Sequence, residues 1–79
     1  MMAKKKFQHT KATACETIAR SLHEFGYPDT TGPMIEEVLT AWMDGKRGEE
    51  LPHGIIGRFA ERQIAEVEDA RPGTFAALA

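Results

Sequence analysis

Nucleophilic or acid–base chemistry in this chain would have to come from one cysteine, three histidines and twelve carboxylates. The thiol is Cys15, and the imidazoles belong to His9, His23 and His53. A thiol nucleophile needs an imidazole within hydrogen-bond reach and a third group that orients it. No spacing here forces that arrangement. His9 precedes the first helical block, His23 falls on its polar face, and His53 opens the third block. Metal ligation is no better served, because no Cys-x-x-Cys, His-x-x-x-His or acidic calcium-loop pattern occurs. Short helices also leave little room for an enzyme-sized pocket. The expectation is a non-enzymatic protein with no catalytic residue, no cofactor, no metal and no small-molecule substrate.

Phosphate binding is the other chemistry to weigh. Residues 1–26 carry five basic and two acidic groups, residues 27–51 two basic and six acidic, and the remainder three basic and four acidic. The net charge is −2. Lys4, Lys5, Lys6 and Lys11 make one positive patch, whereas a nucleic-acid footprint continues along a face. A terminal lysine run is more often a solvated tail than a binding arm.

The elements that must position these groups are helical. Ala14, Ile18, Leu22 and Phe25 fall on one stripe at 100° per residue, with Cys15 and Ala19 on its flank. Thr13 and Glu16 have the form of a capping box, and Gly26 supplies a left-handed stop. Glu16, Arg20 and Glu24 form a chain of four-residue ion pairs on the outside. The loop Tyr27–Gly32 is followed by Pro33, which fits a first helical turn capped by Thr31 or Gly32. Met34, Ile35, Val38, Leu39, Trp42 and Met43 then cover half a helix circumference, with Trp42 in the middle as a core residue. An arc that wide needs two neighbours, or leaves one flank for another chain. After the solvated loop Gly45–Pro52, a third pattern places Ile56, Phe59, Ala60, Gln63 and Val67 inward, with Ile55 and Ile64 at the margins. Leu51 packs down as a staple, Gly54 and Gly57 permit close backbone approach, Arg62 pairs with Glu66, and the acidic end Glu66, Glu68 and Asp69 opposes the helix dipole.

The fold expected is all-α: a compact three-helix bundle or orthogonal array with helices at about 10–25, 33–44 and 53–69. Residues 1–9 form a basic tail and residues 71–79 a C-terminal tail whose Phe75 and Leu78 can dock on the core. At 79 residues there is one domain, close to the lower limit for an unstapled core. The lone cysteine and the lack of an apolar run or signal core point to a cytoplasmic, membrane-free protein.

Two resemblances are carried by Leu51-Pro-His-Gly-Ile-Ile-Gly-Arg-Phe-Ala-Glu-Arg-Gln-Ile64. The segment resembles the helix-hairpin-helix motif that binds the DNA backbone, with Leu51, Pro52, Gly57, Ala60 and Ile64 in comparable places. The resemblance implies amides at a helix N-terminus turned to a phosphate. Here Gly54 and Gly57 are two residues apart where that family has one, and the preceding helix ends early. Residues 51–63 also look like small uncharacterised helical proteins of actinobacteria and their phages. That likeness implies an accessory protein modulating a host protein, and it transfers no functional residue.

The reading of the residues themselves is a protein-interaction module, self-association included, with Tyr27, Met34, Met43 and Ile55 as contacts. The alternative is DNA-backbone binding through Lys4, Lys5, Lys6, Arg47, Gly54, Gly57 and Arg58.

Overall fold

The structure is a computed structural model that describes residues 10–78. The described residues are all-α, in the order α1 (Lys11–Glu24), α2 (Gly32–Met43), a 3-10 turn (Gly48–Glu50), α3 (Gly54–Ala70) and α4 (Thr74–Leu78). α1, α2 and α3 pack on one another in every pairing, so the broad apolar face of α2 has its two neighbours.

Local chemistry sets the ends of each helix. Thr10, one turn ahead of the expected Thr13–Glu16 box, caps α1: the Thr13 amide donates to the Thr10 hydroxyl at 3.1 Å, and the Thr10 amide to the Thr13 hydroxyl at 2.8 Å. At the other end the Gly26 amide donates to the His23 carbonyl at 3.1 Å and the Tyr27 amide to the Leu22 carbonyl at 3.0 Å. This Schellman stop needs positive φ, and Gly26 has φ +104°. Gly45 ends α2 by the same bonds, to Trp42 and from Lys46 to Ala41. Thr31 caps α2 through its hydroxyl and the Met34 amide, with Pro33 in the first turn.

The core consists of Cys15, Ile18, Ala19 and Leu22 on α1, Ile35, Val38 and Leu39 on α2, Ala60 and Ile64 on α3, with Leu51 and Phe75. Three expectations change. Phe25 is 65% exposed at the C-cap of α1, because that helix turns its small residues Cys15 and Ala19 inward. On α3 the buried residues are Gly57, Ala60 and Ile64, while Gln63 is half-buried and Val67 is 37% exposed. Trp42 is half-buried at the edge of the core, its ring covered by the Arg47 guanidinium 4.2 Å from the centroid.

The segment expected as a C-terminal tail forms α4, and Phe75 is buried with Leu78 packed beside it. Glu68 bridges the turn into α4. Its carboxylate accepts from the amides of Gly73 and Phe75, both at 2.8 Å, which answers the expected conflict with the helix dipole. Those two amides hold the Glu68 carboxyl below its usual pKa. A lowered folded-state pKa means the contribution is complete above the unfolded value near 4.5 and fades as pH falls through the folded one. The Gly73 and Phe75 amide resonances should therefore move together on acidification, and Glu68→Gln should abolish that titration. Amides that do not titrate in the wild type would contradict the clamp.

The outer ion pairs do not form. Among the described residues Glu16, Arg20 and Glu24 make no salt bridge, nor do Arg62 and Glu66; Arg58 meets Glu49 at 3.5 Å.

Candidate functional site: a groove between the first and third helices

Small residues at the helix contacts push the large ones aside. With Cys15 and Ala19 of α1 and Gly57 and Ala60 of α3 turned to the core, one flank of each helix keeps apolar bulk outside. These flanks face each other across a groove lined by Ser21 of α1, Phe25 at its C-cap, and Phe59, Arg62, Gln63, Glu66 and Val67 of α3. The Phe25 and Phe59 rings stack at 6.3 Å with 22° between their planes, and Tyr27 lies against Phe59 at 5.4 Å. In the floor of the groove the Gln63 amide nitrogen donates to the Ser21 hydroxyl at 3.1 Å. Val67 also borders an almost wholly apolar hollow with Ala14, Thr17, Ile18, Thr74 and Phe75. The two depressions thus share one side chain, and their apolar lining runs from Phe25 to Phe75.

The expected contact residues scatter around the molecule. Tyr27 belongs to this groove through Phe59. Met34 is half-buried in the first turn of α2, and Met43 is 42% exposed at that helix's end. Ile55 is 57% exposed in a different hollow, with Glu49, Leu51, Gly54 and Arg58. Phe25 and Val67, both placed in the core by periodicity, are the exposed apolar residues that share a surface.

The alternative phosphate site has a different character from the expected one. Lys4, Lys5 and Lys6 lie outside the described residues, as does His9. Arg47 crosses the end of α2 and donates to the carbonyls of Trp42 and Lys46 at 2.8 and 2.7 Å. Arg58 faces Glu49, and the Gly48 amide donates to Glu61. His53 adopts left-handed φ +70°, and its Nε2 lies 2.7 Å from a Glu37 carboxylate oxygen. Gly54 follows at φ +57°, so its role is to turn the chain. Gly57 is the close approach, buried beneath the Pro52 carbonyl. The Pro52 carbonyl thus presses on the first turn of α3 at Gly57, and Glu37 and Glu49 lie against His53 and Arg58 at its entrance.

Cys15 is buried about two helical turns before His23, roughly 12 Å along α1, and the His23 Nε2 donates to the Thr30 carbonyl at 2.6 Å. Burial, reinforced by the Glu36 charge and partly opposed by Lys11, pushes the thiol up to about 11. Native protein should therefore react with iodoacetamide at pH 8 at least ~100-fold more slowly than denatured protein, through opening alone. Equal rates would contradict the burial. Because the folded pKa exceeds the unfolded value of 9.0, stability from this group is complete below pH 9 and is lost on going toward 11.

No three His, Cys, Asp or Glu side chains cluster to hold a metal among the described residues, and no helix there is long and apolar enough to cross a membrane. Compared with protein-family models, curated proteins and solved structures, the chain finds no match.

Proposed function

We propose that this chain is a non-enzymatic protein-interaction module and that the α1–α3 groove is where it docks an amphipathic helix of its partner. The exposure of Phe25 carries the reading: an aromatic side chain left 65% in water, stacked on a second aromatic at the rim of a groove, has the makings of an interface anchor. Arg62, Gln63 and Glu66 give the groove polar edges that fix register, as the rim of a protein interface does. A partner helix presenting apolar residues at three- and four-residue steps matches this shape. The resemblance of residues 51–63 to small uncharacterised helical proteins of actinobacteria and their phages implies an accessory role of this kind.

A photoreactive p-benzoylphenylalanine in place of Phe25 tests this in the cell that expresses the protein. The expected result is one discrete protein adduct, identified by mass spectrometry, from position 25. The same probe in place of Ile55 should give none. Absence of any adduct at position 25, or equal labelling from both positions, would overturn the reading.

A further inference from the structure

We infer that the helix filling this groove is α3 of a second copy of the chain, lying antiparallel to the first and crossing it at Gln63. The inference rests on the interaction reading above and names its partner. A two-fold interface must be self-complementary, residue i meeting j and j meeting i. The exposed face of α3 has that symmetry. Phe59 and Val67 lie four residues to either side of Gln63, so an antiparallel copy centred there sets each Phe59 against the other copy's Val67.

The charges obey the same operator. Arg62 precedes Glu66 by one turn, the less favourable order for a pair within a helix, and the two form no salt bridge in the chain. Turned antiparallel, each Arg62 falls beside the other copy's Glu66, making two equivalent ion pairs. Gln63, on the axis, spends one amide proton on Ser21 and keeps a second proton and a carbonyl oxygen for its symmetry mate. Phe25, from α1, extends each apolar border beyond the helix pair. A chain of 79 residues with a marginal core gains most from such closure, because burial at the interface adds to folding stability.

Light scattering on the purified full chain from 5 to 500 μM, with a charge swap, tests the pairing. The wild type should pass from monomer to dimer over roughly this range and go no further, since a two-fold contact closes on itself. Arg62→Glu and Glu66→Arg should each weaken the dimer by at least ~10-fold, and the double variant should restore it. At a concentration where the wild type is monomeric, all three should keep its thermal transition within a few degrees, because both side chains are exposed in the single chain. A monomer at every concentration, single variants that dimerise as well as wild type, or a swap that fails to restore pairing would each overturn the inference. If the chain is monomeric while position 25 crosslinks to a different protein in cells, the interaction reading stands and the second copy falls. An intrachain link from position 25 to residues 1–9 would defeat both.

Discussion

Gly57→Ala is expected to destabilise the protein by about 2–3 kcal/mol, although alanine is the better helix former by ~1 kcal/mol. A methyl group at this position would collide with the Pro52 carbonyl oxygen and also approach its carbon at 3.3 Å and the Leu51 side chain at 3.6 Å. The obstacle is backbone, so no change of rotamer relieves it. The Leu51–Pro52 segment has to lift off α3, which exposes Leu51, a buried side chain whose transfer to water costs about 2 kcal/mol, and strains the left-handed turn at His53 and Gly54. Gly32→Ala is the control. There the new methyl meets the Glu16 Cγ at 3.0 Å, a flexible side chain that can swing away, and stability should change by no more than ~1 kcal/mol. Urea midpoints read the difference. Equal midpoints for the two variants would show that Leu51 and Pro52 do not press on the helix.

This approach also explains which parts of the fold were legible in the sequence. The three long helices and several of their ends follow from local signals: Thr31 with Pro33, and Gly26 and Gly45 at their Schellman positions, act within one turn of themselves. Helix rotation does not. Periodicity weights bulky apolar residues, and it therefore aimed Phe25 on α1 and Phe59, Gln63 and Val67 on α3 at the core. The buried positions go to small residues instead: Cys15 and Ala19 on α1, Ala60 on α3, and Gly57 where the Leu51–Pro52 backbone presses on α3. The buried stripe of α3 is turned by roughly 75° from the expected one, toward Gly57 and Ile64.

The candidate groove was missed for the same reason. Its signal was present, as apolar residues in excess of one core-facing stripe, but the excess was assigned to α2 through Met34 and Met43. α2 spends its width on two neighbours, whereas α1 and α3 each leave a flank over. A wheel centred on the small residues Cys15–Ala19 and Gly57–Ala60 places Phe25 and Phe59 outside, about 100° and 130° from the two centres, whereas Val67, about 50° off, still reads as inward. The tertiary hydrogen bonds from Gln63 to Ser21 and from the Gly73 and Phe75 amides to Glu68 had no such local trace.

The C-terminal helix supplies the largest single expected loss. Five residues cannot hold a helix in water, so α4 exists because it docks. Phe75, 3% exposed, is its anchor and closes the hollow bordered by Ala14, Ile18 and Val67. Phe75→Ala should cost about 3–5 kcal/mol, and a chain with a margin of ~5 kcal/mol would then melt on the order of 15 °C lower or fail to fold. Phe75→Leu keeps most of the volume and should lose less than about 1.5 kcal/mol, which separates a packing role from a requirement for folding itself. Local release sets a ceiling on these numbers. If α4 can leave while α1, α2 and α3 stay packed, neither substitution can cost more than the free energy of docking, and the main transition moves by no more than that. Because Phe75 belongs to the same contiguous core as Ile18 and Ile64, the expected result is one cooperative transition, shifted as a whole. A Phe75→Ala protein that melts within about 2 °C of wild type would show that α4 is a separable flap over the end of the groove.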